Sequence, residues 1–257
     1  SGVINFAHGG FLALGGYFAY SLNPYLGFWG AFVAAPFLVA ILGIIAEQFL
    51  IQWLYGRDPL YSLLLTFGLA FILEDVTRVV WGASSLPYQV PASLTSPVSL
   101  DYFFLTGYRL LMVGLVLAAI VALFVVLTRT RTGLRIRAGT RDLETVSVLG
   151  VNVRALRMMN FGLGIFLAGL AGVLAAGYIG LQPTMGGSLI MTSFVAVIVG
   201  GLGSLPGTLL GGLLIGIASG LATIYWPSAT EAVMYVMMAL VLLVRPRGLL
   251  GEEGRLH

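Results

Sequence analysis

The sequence predicts an all-α fold, in which one polytopic bundle of transmembrane helices takes up residues 1–257. Hydrophobic residues make up 59% of the chain and charged residues only 9%, whereas an aqueous domain usually carries about 25% charged residues. Four long runs contain no charged residue, and each approaches the roughly 20 residues that cross a bilayer: 28–46, 110–127, 158–179 and 209–225.

Apolar runs separated by glycine, proline and charged residues predict about eight passes. Their approximate bounds are 3–21, 27–51, 60–81, 108–127, 157–180, 187–202, 207–225 and 228–244. The chain opens at Ser1, directly in an apolar run and without a methionine or a basic leader. We therefore expect a truncated start, which is compatible with a missing N-terminal helix.

Arginine placement predicts the orientation of these passes. Segment 129–157 holds seven of the thirteen arginines. If the chain crosses the membrane eight times, the loop 52–59 and the tail after Val244, which also contain arginine, fall on the same side as this segment. That side is predicted to be cytoplasmic, because positive residues are retained there. The segment 82–107, on the opposite side, is rich in proline and serine. Its single charged residue is Asp101.

Two passes are short or interrupted. The first contains Asn5, His8 and a series of glycines, and the sixth follows Gln182, Pro183 and Gly186. Breaks of this kind free backbone groups that hydrocarbon cannot satisfy, and in transporters paired breaks point to the substrate path. His8 is the one histidine within a predicted pass, and it is either functional or simply hydrogen-bonded in the interior.

The chain lacks residue types that several classes of chemistry require. The chain has no lysine, which a phosphate-binding P-loop requires, and no cysteine, so we expect neither ATP hydrolysis by that route nor thiol or zinc chemistry. No metal or cofactor is predicted. Glu74 and Asp75 are spaced to pair with Arg78 on one helix face, which favours a structural role. Glu47, near a cytoplasmic helix end, is expected to reach water.

The cytoplasmic loop at about 128–157 contains a short amphipathic helix by prediction. Asp142 can cap it, and Gly150 stands where a helix C-terminal glycine belongs. The apolar residues Leu143, Val146 and Leu149 recur on one side. We interpret this apolar face as a docking surface, because a helix face of this kind needs a groove.

Segments along nearly the whole chain resemble branched-chain amino-acid ABC transporter permeases, specifically the LivH-type subunit. The segment 144–150 keeps the glutamate and glycine spacing of the loop by which importer permeases contact their ATPases, with Thr145-Val146 in place of two alanines. Gly10 stands where many members have a glutamate. The other matching segments are Val3-Ile4-Asn5-Phe6-Ala7-His8-Gly9, Gly56-Arg57-Asp58-Pro59-Leu60, Leu73-Glu74-Asp75, Arg131-Thr132-Gly133-Leu134, Leu149-Gly150-Val151-Asn152, 199–207 and Arg245-Pro246-Arg247-Gly248-Leu249.

The resemblance implies a permease of the bacterial cytoplasmic (inner) membrane that is not itself an enzyme. Its implied partners are a LivM-type permease or a second copy, two ABC ATPase subunits, an extracytoplasmic substrate-binding protein and the lipid bilayer. Branched-chain amino acids are the implied substrate, with urea, short amides or other amino acids as alternatives. An ion-coupled secondary carrier is the rival class, and a membrane enzyme is a third.

Within this resemblance, two sets of residues are candidates for function. For the substrate pathway, helix-end dipoles are expected to meet a zwitterion at the two interruptions. The pathway candidates are Asn5, His8, Gly9, Gln182, Met185 and Gly186. The candidates for coupling to the ATPase are Asp142, Leu143, Glu144, Val146, Leu149 and Gly150.

Overall fold

The computed structural model describes residues 5–100 and 103–251, and in these ranges the chain is almost entirely helical. The expectations that rest on Ser1, Val3, Ile4 and Asp101 lie outside the described residues, as does the side chain of Glu144. The described α-helices are α1 (Ala7–Phe49), α2 (Pro59–Trp81), α3 (Ala92–Thr95), α4 (Gly107–Arg129), α5 (Arg131–Arg141), α6 (Leu143–Val148), α7 (Val153–Ile179), α8 (Met185–Gly200), α9 (Leu205–Tyr225) and α10 (Thr230–Val244). Short 3-10 turns occupy Ile51–Leu54 and Pro227–Ala229.

Five described helices are long and apolar enough to cross a membrane: α1, α4, α7, α9 and the segment Pro227–Val244 that includes α10. This confirms the predicted class of apolar helical protein, while the count of eight passes stays a prediction. The first two predicted passes form one 43-residue helix, α1, which is broken only at Gly27 (φ 66°, ψ 174°). A positive φ at a single glycine turns the chain there, so the predicted linker at 22–26 is helical instead.

The first of two compact units, residues 1–187, is built around α7. Both arms of α1 pack along this helix, one before and one after Gly27. A Cβ atom added to Gly15 would overlap the backbone of Gly169, and one added to Gly43 would lie 2.7 Å from Ile165. Small residues at these crossings let helix backbones approach closely, as is common between membrane helices.

The second unit comprises residues 188–257. Val195, Val199 and Ile215 form its buried core, against which methionines of α10 pack. Gly211 approaches the α8 backbone so closely that an added Cβ would overlap the carbonyl oxygen of Ala196. After α10 the chain returns to α8, where the backbone amide of Leu249 donates to the carbonyl oxygen of Val199 at 2.9 Å.

A small antiparallel hairpin was not predicted from the sequence. Strands β1 (Pro97–Leu100) and β2 (Phe103–Thr106) pair with Pro97 opposite Thr106. Upstream of it, Leu86 and Leu181 exchange two backbone hydrogen bonds of 2.9 Å, which attach this segment to the end of α7. The strands are only four residues long and lack a clear alternating pattern, so the apolar composition around them concealed the pairing.

Candidate functional site

The first helix begins beside the middle of α7. A Cβ added to Gly164, the twelfth of the 27 residues of α7, would lie 3.3 Å from Nε2 of His8. The imidazole meets the ring of Phe161 edge to face, with 5.6 Å between ring centroids. The N-terminus of α1 therefore lies beside the middle of α7, a helix long and apolar enough to cross a membrane, rather than beside one of its ends.

The start of α8 meets the start of α1 at the same height. A Cβ added to Gly186 would overlap the carbonyl oxygen of Gly9, so the two backbones are in direct contact. Met185, the first residue of α8, is buried with 2% of its surface exposed. The positive ends of two helix dipoles therefore converge on one point inside the protein.

The chain reaches that point by turning back after α7. Gly180 ends α7 with a positive φ of 77°, and Leu181 then contacts Gly16 of α1. Because Gly16 follows Gly9 by seven residues, the segment from Leu181 to Gly186 runs back along α1 by about 10 Å. This re-entrant path is the interruption that the glycines and Pro183 predict.

Two polar atoms at the start of α1 are buried and have no partner among the described residues: Nδ2 of Asn5 and Nδ1 of His8. Asn5 uses its other side-chain atom to cap the helix, since Oδ1 accepts a hydrogen bond from the amide of Ala7 at 2.9 Å. An unsatisfied buried polar group costs about 1–3 kcal/mol, so these two atoms are costly unless something else binds them.

The structure separates the predicted pathway residues into two groups. Asn5, His8, Gly9, Met185 and Gly186 lie together around the meeting of the helix ends. The side chain of Gln182 is exposed, in the turn between Leu181 and Met185, where its backbone carbonyl oxygen accepts a hydrogen bond from the amide of Met185 at 3.0 Å. That all six residues share one site stays a prediction for Gln182, whose side chain is exposed whereas Met185 is buried.

The short helix predicted at Asp142 to Gly150 is present as α6. The carboxylate of Asp142 accepts a hydrogen bond from the amide of Thr145 at 3.0 Å, and Gly150 follows the helix with a φ of 79°. Its apolar face, however, is occupied by the same chain. Val146 is 5% exposed and packs with Ile136 of α5 and Leu156 of α7.

The exposed apolar side chains of this segment are those of Val148 and of Leu149, the latter being one of the three residues of the predicted face. Val148 and Leu149 are 85% and 75% exposed, and Leu149 lies beyond the end of α6. Of the predicted face, Leu149 is therefore exposed while Val146 is buried within the chain, and docking to an ATPase stays a prediction. The sequence did not reveal helix α5, whose buried Ile136 takes up Val146 and so determines which face of α6 points outward.

A small cavity of about 50 Å³ lies behind α6, between this segment and α7. It has both apolar and polar walls, and Leu143 lines it instead of facing outward. The lining residues are Tyr55, Ile136, Gly139, Thr140, Leu143, Leu156, Arg157, Asn160 and Phe161. Within the described part of the chain, no group of three or more histidine or acidic residues is placed to hold a metal ion.

Acidic side chains of α1 and α2 differ in their surroundings. On α2, Arg78 contacts Glu74 at 2.5 Å and Asp75 at 3.7 Å, which confirms the predicted ion-pair cluster. Glu47 was expected to reach water, but the structure shows that it does not, because only 2% of its surface is exposed. Its partners come from Tyr55 and from α7, which are distant in sequence, so helix position alone gave no sign of this burial.

Comparison with known proteins gives one family over almost the whole chain. The profile described as branched-chain amino acid transport system, permease component, matches residues 1–244. No solved structure gives a significant match.

Curated relatives of similar length carry related names. The chain is 28% identical to the high-affinity branched-chain amino acid transport system permease protein BraD of Pseudomonas aeruginosa, over 98% of this chain and 87% of that protein. It is 29% identical to the permease protein LivH of Escherichia coli K12, over 98% and 86% of the two chains. A probable LivH of Methanocaldococcus jannaschii is 28% identical, over 98% and 84%.

Proposed function

The chain belongs to the family of branched-chain amino acid transport permease components, and from this premise we propose that it is a membrane-spanning subunit of an ABC importer. In this proposal it translocates branched-chain or related amino acids across the bacterial cytoplasmic membrane. Two separate ATPase subunits supply the energy, a LivM-type permease or a second copy completes the pore, and an extracytoplasmic binding protein delivers the substrate.

The observation that carries the proposal is the meeting of two helix N-termini beside two unpartnered polar atoms. The starts of α1 and α8 touch at Gly9 and Gly186, and Asn5 and His8 hold buried atoms with no partner in the described ranges. Helix N-termini favour negative charge, so the carboxylate of an amino acid is the group that suits this point. An uncharged amide such as urea gains less from the dipoles.

The contact between Gly9 and Gly186 leaves no room for a substrate between the two backbones. We therefore assign the structure to a state in which the path is closed at this height. Transport then requires the two helix ends to separate, and ATP binding at the cytoplasmic side is the event that drives the change.

The docking surface for the ATPase is proposed at the exposed end of α6. Val148 and Leu149 supply its apolar contact, while Asp142 and Gly150 define the helix ends. Leu143, Glu144 and Val146 stay within the proposed coupling segment. Leu143 and Val146 act there by attaching α6 to α5 and α7, because both pack inside the chain.

Reconstitution in liposomes tests this function. The chain is assembled with its sister permease, ATPases and binding protein, and uptake of labelled leucine is measured with and without internal ATP. We expect ATP-dependent uptake by the assembly and none by this chain alone, and competition by unlabelled urea, amides and amino acids identifies the substrate class. Ion-driven uptake by the isolated chain would instead establish a secondary carrier, which the pairing of Glu74 and Asp75 with Arg78 disfavours.

A further inference from the structure

The last turn of α1 contains a buried carboxylate, that of Glu47. Its hydrogen-bond partner is the hydroxyl of Tyr55, and the positive charges of Arg154 and Arg157 act on it. The second carboxylate oxygen, Oε2, has no hydrogen-bond partner among the described residues. Burying a carboxylate is costly unless it is paired, so Glu47 is held here by a specific arrangement rather than by packing alone.

Tyr55 connects this carboxylate to α7. It follows the 3-10 turn after α1, and the guanidinium of Arg157 lies over its ring, 4.4 Å from the centroid. Burial first, and then the negative charge of Glu47, raise the pKa of Tyr55 to about 12. The hydroxyl therefore remains protonated at neutral pH and donates to the carboxylate, while the ring faces the cation.

Arg157 follows Leu156, the residue of α7 that packs against α6. Leu156 packs against Val146 of α6 and Ile136 of α5, and Arg157 is its neighbour in the first turns of α7. Contacts thus run from α6 through Leu156 and Arg157 to Tyr55, and from there to Glu47.

Beyond Glu47, the same helices lead to the proposed pathway. Ile44, one turn before Glu47, fits against Gly162 of α7, two residues from the glycine that meets His8. α7 therefore contacts both arms of α1, at His8 and at Ile44.

We propose that Glu47, Tyr55 and Arg157 form a positioning linkage that transmits movement of α6 to α1. This inference rests on the proposed importer function, because it assumes that an ATPase moves α6. The three residues hold the end of α1 against the start of α7, so that the helices move together when α6 is displaced. Without the linkage, α6 moves while the helix ends at Gly9 and Gly186 stay in contact.

Uptake per ATP hydrolysed, measured in the reconstituted assembly, tests the linkage. Glu47→Gln removes the charge and Tyr55→Phe removes only the hydroxyl. We expect each to lower the ratio of uptake to hydrolysis by roughly tenfold, within the range typical of coupling between sites. ATP hydrolysis stays within about twofold of wild type, since α6 still docks, and the double variant resembles the single ones because both remove one interaction.

Matched controls are Tyr61→Phe and Glu231→Gln, which change an exposed tyrosine and an exposed glutamate. Both are expected to keep the wild-type ratio. An unchanged ratio in Glu47→Gln and Tyr55→Phe overturns the linkage, as does an equal loss of uptake and hydrolysis. Failure of Tyr55→Phe to assemble also overturns it, because the hydroxyl then serves folding. A wild-type assembly without ATP-dependent uptake refutes the importer function itself.

Discussion

Gly9 and Gly186 touch backbone to backbone, since a Cβ added to Gly186 would overlap the carbonyl oxygen of Gly9. The two residues begin helices that are separated by most of the chain's first unit. Their contact brings together both interruptions that the sequence marks with glycines. It also makes one substitution especially informative, because the adjacent Gly187 has open space around its Cα.

Gly186→Ala is expected to separate the starts of α1 and α8. Overpacking of this kind costs about 1–3 kcal/mol, and here the overlapping atom belongs to the backbone and cannot rotate away. We expect a lower melting temperature of the purified chain and a loss of most transport in the assembly. Gly187→Ala is the control and should leave both unchanged, so equal behaviour of the two variants would contradict the close contact.

His8→Phe separates a role in substrate binding from a role in packing. The phenyl ring preserves the contact with Phe161 but removes the unpartnered Nδ1. We expect thermal stability to be unchanged or raised by about 1 kcal/mol, because a buried unsatisfied group is lost. Uptake should nevertheless fall about tenfold, since the polar contact with the substrate disappears.

Uptake by variants of Asn5 and Gln182 tests the same pathway. Asn5→Ala should reduce uptake and also weaken the start of α1, as Oδ1 caps the amide of Ala7. Gln182→Leu should have the smaller effect on uptake, because its side chain is exposed. Normal expression with unchanged uptake in both His8→Phe and Gln182→Leu would rule out the proposed pathway.

Much of this site follows from sequence, and the reason is the nature of the signals. Glycine and proline act locally, so the breaks near His8 and near Gly186 were predictable from their own segments. The height at which those breaks meet depends on α7, which is remote in sequence, and no local pattern specifies it. The same applies to Glu47, whose burial depends on Tyr55 and on Arg157 from α7.

For helix α6, the sequence predicts the two ends but not the side that faces outward. Asp142 and Gly150 are local signals for its two ends, and both were interpreted correctly. Which side faces out could not be inferred, since the apolar spacing of Val146 is equally compatible with a partner protein and with α5. The structure places Ile136 against Val146 and leaves Val148 outside.

Charged substitutions at the exposed end of α6 test ATPase docking. Val148→Asp and Leu149→Asp change side chains that are 85% and 75% exposed, so the fold of the chain should be retained. We expect the copurifying ATPase to be lost, because a buried unpaired carboxylate is costly in an interface. Leu202→Asp, at an exposed leucine in another loop, serves as the control and should retain the ATPase. Retention by all three variants would exclude Val148 and Leu149 from the contact.

Two buried tyrosines, Tyr88 and Tyr108, are expected to respond oppositely to removal of their hydroxyl groups. The hydroxyl of Tyr108 donates to the carbonyl oxygen of Leu174 at 2.8 Å, so Tyr108→Phe should destabilise the chain by about 1 kcal/mol. The hydroxyl of Tyr88 is buried without a partner in the described ranges, and Tyr88→Phe should be neutral or stabilising. Melting temperatures of the two variants against wild type decide this, and equal losses would contradict it.

The pH dependence of Tyr88→Phe gives a second, independent readout. Burial raises the pKa of Tyr88 from 10.0 to about 12. Between these values the tyrosine ionises in the unfolded chain but stays protonated in the folded one, so the folded state binds more protons. The free energy of unfolding therefore falls as pH rises from 10 to 12, and stability gained by the raised pKa is present only below that window. Tyr88→Phe removes this contribution, and its unfolding free energy should decline less steeply than that of wild type over the same window; an identical slope would show that Tyr88 is not buried as described.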